Sequence, residues 1–138
     1  MVNNNKIRQR INILQKNIKF LESMRQMSVD EFLTDPRNYL SATRILQISV
    51  EAMIDIANHI IAREGLGVPQ SYHDAIKILT REGYLQNDKE ATFRAMIRFR
   101  NRAVHMYDEI DEREIYRIIG EHLGDFQAYM DSIIKRCF

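Results

Sequence analysis

Three observations predict an all-α fold, an antiparallel up-and-down bundle of four to five helices. Apolar residues recur at three- and four-residue steps along nearly the whole chain, the period of a helix with one buried face. Only 5 glycines and 2 prolines occur among 138 residues, few for a chain that would need the many turns of a β-fold. The segments between periodic stretches are short, which sets consecutive helices antiparallel. No repeat, low-complexity tract or linker divides the chain, so residues 1–138 are expected to form a single domain.

The elements follow in order. Ile7, Ile11, Leu14, Ile18 and Leu21 make one apolar stripe, which places a first helix over about 4–26. Ser28 followed by Glu31 is a capping-box pattern for a short helix through Leu33. Asp35-Pro36 pairs a capping side chain with a proline suited to a first turn, so a long helix should start there and run to about Arg63. Its apolar residues (among them Ile45, Leu46, Val50, Met53, Ile56 and Ile60) cover much of its girth, as in the central member of a bundle. Gly65-Leu66-Gly67-Val68-Pro69 should end it. Ser71 with Asp74 can cap a third long helix that Gly83 closes. Asn87 with Glu90 resembles another capping box, for a helix from Asp88 to about Tyr107. Asp111 with Glu114 should open a last helix to about Lys135, in which Gly120 and Gly124 either weaken the helix or allow a neighbour close approach.

Bulk properties exclude several classes. Apolar residues make up 45%, so the chain is globular rather than disordered. The net charge of +1 does not by itself announce a nucleic-acid binder, so any such reading must rest on local clustering. Cys137 is the one cysteine, which rules out an internal disulfide and speaks against a structural zinc site. Met1 to Lys6 has no apolar leader. The run from Ile45 to Ala62 is interrupted by Glu51 and Asp55, and reads as a buried core helix rather than a membrane span. A cytoplasmic protein is expected.

Chemistry concentrates in Arg100-Asn101-Arg102-Ala103-Val104-His105-Met106-Tyr107. Arginine is a permanent cation whose donor fork fits phosphate oxygens, and histidine exchanges protons near neutral pH. Arg94, Arg98 and Arg102 form a ladder at four-residue spacing. Glu90 can pair with Arg94, but Arg98, Arg100 and Arg102 have no carboxylate three or four positions before them. Asp108, Glu109 and Asp111 are the candidate partners from the following turn. A solvated charged face and a phosphate-binding face are equally open for Arg94 and Arg98. For His105 the plainer reading is a histidine at a helix C-terminus, favourably placed against the dipole. On an ideal helix Arg100 and His105 point about 140° apart, so one straight helix does not aim both at one atom. A bend, a helix end or a second copy of the chain would be needed.

Glu51, Asp55 and His59 recur at four-residue steps on the long central helix. Metal sites in bundles draw on several helices and often use glutamate and histidine three apart, so a structural role is expected here, through hydrogen bonds or a polar dimer contact. His73 and His122 read as surface residues. No glycine-rich phosphate loop, Gly-x-Ser-x-Gly elbow or zinc-binding histidine pair occurs.

The segment from Arg100 to Asp111 resembles the signature of the HEPN superfamily, specifically its HepT-like toxin branch: arginine, a polar residue, three more, histidine, any residue, tyrosine. Glu51 to Ile61 also resembles that family's second long helix, and the resemblance extends over most of the chain. It implies a dimerising helical bundle acting as a metal-independent ribonuclease, without a cofactor, encoded beside a nucleotidyltransferase antitoxin of the MNT type in a type VII toxin–antitoxin system. Arg100 would then stabilise the scissile phosphate, His105 would move protons, and Asn101 would orient the histidine or the phosphate. Tyr107 matches the tyrosine that the antitoxin adenylylates. Arg98, Arg102 and Arg94 are the expected further RNA contacts. The competing class is a non-catalytic module that holds RNA, a nucleotide or a nucleotidyltransferase without cutting; a third is a purely structural helical dimer.

Overall fold

The computed structural model describes residues 4–138. The reading of Met1 to Lys6 as free of an apolar leader falls partly on residues 1–3, outside the described residues. Seven α-helices account for the described fold: α1 (Asn5–Met24), α2 (Val29–Thr34), α3 (Pro36–Glu64), α4 (Tyr72–Arg81), α5 (Glu90–His105), α6 (Glu112–Glu121) and α7 (Leu123–Cys137). Short 3-10 turns cover Asn87–Lys89 and Tyr107–Glu109, and there is no strand among the described residues.

Most of the expected punctuation is realised. Ser28 Oγ accepts from the Glu31 N–H at 3.2 Å, and Ser71 Oγ from the Asp74 N–H at 3.0 Å. Each satisfies a donor that the first helical turn leaves open. Asp35 caps α3 by accepting from the Arg37 N–H at 3.0 Å, with Pro36 behind it in the first turn. Gly65 closes α3 in a left-handed conformation (φ 62°), and the next N–H, of Leu66, returns to the Ile61 carbonyl at 3.0 Å.

Two expectations need correction. Asn87 does not cap α5: it lies within a 3-10 turn, and the helix begins at Glu90 without a side-chain cap. The single last helix expected over 111–135 is two. His122 (φ −121°, ψ 4°) breaks it between α6 and α7. Gly120 and Gly124 flank the break and are poor helix formers. A Cβ at either glycine would meet open space, so close approach of a neighbour is not their role. The break re-aims the chain so that α7 buries Leu123, Phe126, Tyr129, Met130 and Ile133.

α3 is the centre of the bundle. It is long and apolar enough to cross a membrane, but 56% of its most apolar window is buried inside the fold, as a core helix requires. α1 lies along it with Ile7, Ile11, Leu14, Ile18 and Leu21 turned inward. Ser49, fully buried, donates to the Ile45 carbonyl at 2.7 Å and accepts from Asn17 Nδ2 at 3.1 Å, a polar link beside the apolar stripe. Tyr129 on α7 is also fully buried; its ring meets Phe93 of α5 edge-on at 5.2 Å, and its hydroxyl donates to the Met53 carbonyl at 2.7 Å. Burial raises the pKa of this phenol, so it remains a donor. α3, α5 and α7 are thus tied at one level, which fixes the helix that bears the arginines.

Candidate functional site

α5 is held by Phe93, Ile97, Phe99 and Ala103, all buried. It runs antiparallel to α3: Arg100 meets Glu51, while Met106, further along α5, lines the same groove as Leu46, further back along α3. The helix ends at His105, two residues earlier than the spacing predicts. Met106 leaves helical geometry (φ −141°, ψ 43°) while its N–H still reaches the Arg102 carbonyl at 2.7 Å. Tyr107 then opens a 3-10 turn and stands 71% exposed. Arg102 and His105 sit in the last helical turn, where the carbonyl end favours positive charge.

Arg100 and His105 do not converge. Arg100 turns inward, and its Nε–H donates to Glu51 Oε2 on α3 at 3.0 Å. One terminal amine donates to Asn101 Oδ1 at 3.2 Å, and the guanidinium lies 5.3 Å from the ring centre of Tyr72 at the start of α4. His105 is exposed at the helix end. This placement agrees with the about 140° between the two positions on an ideal helix.

The other arginines divide by partner. Arg94 pairs with Glu90 at 3.6 Å, as the four-residue spacing predicts. Arg102 makes a two-armed pair with Glu114 of α6, one arm at 3.1 Å. That hydrogen bonding raises the pKa of its guanidinium, with Glu109 adding a weaker negative charge. The carboxylates that Arg100 and Arg102 lack along their own helix are supplied from other helices. Arg98 stays exposed.

The acidic stripe of α3 splits in the same way. Glu51 joins Arg100, Asp55 pairs with Arg10 of α1 at 3.1 Å, and His59 turns its Nε2 into the interior, where it is buried and unpaired. The three residues serve three different surroundings and are not a cluster. His73 was expected at the surface. It is half-buried with Nδ1 enclosed, and burial together with the positive charges of Arg94 and Arg98 lowers its pKa. His122 is exposed but has a partner, Asp125, at 3.4 Å.

A groove of about 810 Å³ opens between α3, α5, α6 and the start of α7. Val50, Met96, Phe99 and Phe126 are among its apolar lining, and Arg98, Asn101, Arg102 and Arg117 contribute polar groups. Asn101 therefore stands between the two features, touching Arg100 on one side and the groove on the other.

Glu51 is the residue of this site that sequence reasoning missed in its role. Its signal was indirect: a carboxylate on a largely apolar helix, and an arginine with no local partner.

Comparison with known proteins assigns the chain to a family. The family model "Ribonuclease HepT-like" matches residues 14–133, and the chain belongs to that family. It is 36% identical over 88 residues to an mRNA nuclease HepT of Shewanella oneidensis, a match spanning 64% of this chain and 66% of that relative. It is 26% identical over 127 residues to a tRNA nuclease HepT of Aphanizomenon flos-aquae, covering 92% and 86% of the two chains. Among solved structures, a tri-AMPylated HEPN toxin of Shewanella oneidensis in complex with its MNT antitoxin superposes with a TM-score of 0.88 at 30% identity, over 96% of this chain and 99% of that one.

Proposed function

We propose that this chain is a metal-independent endoribonuclease toxin, acting as a homodimer and silenced by a nucleotidyltransferase antitoxin. The observation that carries this reading is the placement of the motif in a chain of the ribonuclease HepT-like family. Arg100 is held in place by a second helix, while His105 and Tyr107 stand free where α5 ends. RNA is cleaved when its own 2′-hydroxyl attacks the adjacent phosphorus. That reaction needs a proton acceptor, a proton donor and stabilisation of the charged transition state, all of which side chains supply. His105 moves the protons, Arg100 stabilises the phosphate charge, and Asn101 orients the arginine it touches. Arg98, Arg94 and Arg102 contribute positive charge along the RNA backbone, Arg98 most directly because the other two are paired.

Because Arg100 and His105 of one chain point apart, a two-fold dimer completes the site by bringing a second pair to one cleft. Tyr107 is the acceptor for adenylylation. Its exposure admits a modifying enzyme, and an added AMP places bulk and negative charge beside the arginines, where substrate phosphate would bind. A cytoplasmic location suits both an RNA substrate and a single cysteine without a disulfide partner. The purified protein is expected to cut RNA in the presence of EDTA and to leave 2′,3′-cyclic phosphate ends. Cleavage that requires added divalent metal would exclude this mechanism.

A second reading, a module that binds RNA or a nucleotidyltransferase without cutting, is favoured by the ion pairs that already occupy Arg100 and Arg102. Stable RNA binding with no cleavage by unmodified protein would select it.

A further inference from the structure

We infer that Glu51 is a positioning residue for Arg100, its carboxylate setting the direction in which the arginine presents its remaining donors; this rests on the ribonuclease reading. An arginine side chain has many rotamers, and a phosphate clamp is useful only if the guanidinium waits in the right place. Here three contacts from three directions define its plane. Glu51 Oε2 takes the Nε–H at 3.0 Å, Asn101 Oδ1 takes a terminal amine at 3.2 Å, and the Tyr72 ring lies 5.3 Å away. Two of the five guanidinium donors are engaged this way, and the others remain for phosphate.

The anchor is itself anchored. Gln47, one turn earlier on α3, donates its Nε2 to the same Glu51 oxygen at 3.2 Å. Glu51 is flanked in sequence by Val50, Ala52 and Met53, all buried, so packing holds the backbone that carries it. The pair is also shielded: the side chains of Arg100 and Glu51 are 16% and 33% exposed, against 30% and 50% for Arg10 and Asp55 one turn along α3. A shielded pair resists screening by salt and holds its geometry better than an exposed one. The Asp55 pair, on the same helix but joined to α1, provides the control.

The test compares Glu51→Gln, Glu51→Ala and Asp55→Asn in the full chain, on a defined RNA oligonucleotide. Glutamine keeps the size and an acceptor oxygen but removes the charge. With the arginine loosened, kcat is expected to fall about tenfold in Glu51→Gln and about 100-fold in Glu51→Ala, with KM changed by less than about threefold. Asp55→Asn is expected to keep its wild-type rate, and Glu51→Gln to melt at the same temperature as Asp55→Asn. The Arg100 Nε–H signal in 15N NMR, assigned by its loss in Arg100→Lys, is the readout that does not depend on cleavage. It should exchange slowly with water in the wild type and be lost in Glu51→Ala.

A Glu51→Ala rate within about twofold of wild type overturns the inference. A lower KM with undiminished kcat overturns it too, because Glu51 would then compete with phosphate for the arginine. Equal losses in Asp55→Asn and Glu51→Gln, tracking stability, would reduce the pair to a structural one. If the wild type cuts no RNA, the ribonuclease reading falls and the NMR signal decides alone: loss of the signal in Glu51→Ala upholds the positioning, and its persistence overturns it.

Discussion

The two sides of α5 are built from one helix and obey different rules. The inward side carries Phe93, Ile97 and Ala103 into the core, and Arg100 beside them reaches a carboxylate on α3. The outward side carries Arg94, Arg98 and His105, all exposed, and continues into Tyr107, which is exposed as well. Inward groups are placed by packing and can be trusted to stay where they are. Outward groups are placed only by the helix, and keep the freedom to meet a substrate, a proton or a modifying enzyme. A site that needs both a fixed charge and an accessible base gains by taking them from opposite sides of one helix, provided that something else brings the two together.

The comparison breaks most visibly on the inward side. Phe93→Ala removes a fully buried ring that meets Tyr129, and is expected to cost about 3–5 kcal/mol, read as a large fall in thermal midpoint. His105→Ala on the outward side should leave the midpoint unchanged while lowering the cleavage rate by about 10²- to 10⁴-fold. If both variants lost stability together, the division between the sides would be wrong. Co-expression with a cognate nucleotidyltransferase should add one or more AMP units to Tyr107, seen by mass spectrometry, and the modified protein should cut RNA more slowly. A Tyr107→Phe variant modified equally well would refute the choice of acceptor.

Smaller effects sharpen the contrast. Arg98→Ala should weaken RNA binding and lower its salt dependence by about one unit of slope, with no change of fold. His73 tests the border between the sides, since burial and the neighbouring Arg94 and Arg98 depress its pKa. The folded protein therefore takes up its proton at lower pH than the unfolded chain does. Its contribution is full above the ordinary histidine range and is lost as pH falls through it. His73→Gln should flatten the decline in stability between about pH 7 and pH 5, measured by thermal melts.

How much of this was legible in the sequence depended on how locally each feature is encoded. The start of α3 could be read because Asp35 and Pro36 are adjacent, and the caps at Ser28 and Ser71 because each needs only three residues. The break at His122 could not: Gly120 and Gly124 weaken a helix without saying where it stops, and the stop is set by what α7 must bury. Arg100 and His105 were visible as a motif, and their divergence followed from helical geometry alone. The partner of Arg100 was not visible, because Glu51 lies 49 residues away and four-residue spacing grouped it with Asp55 and His59. Four residues advance about 400°, so the three drift around α3 and meet different neighbours. His73 reads as a surface residue for the same reason: nothing nearby in the chain announces that α4 packs beside the arginines.

The part-buried link between Asn17 and Ser49 has a consequence for the helix pair that contains it. Two apolar stripes at helical spacing can slide past each other by a turn and still bury similar area. The amide and hydroxyl act as a registry pin, since a slipped alignment loses the bond between them and sets the half-buried Asn17 amide against an apolar stripe, leaving Ser49 only its bond to the Ile45 carbonyl of its own helix. Replacing both with small apolar residues should leave the chain folded yet permit competing alignments of α1 on α3. The pin works like the single tooth of a key: it adds little to the strength of the lock, and decides which position closes it.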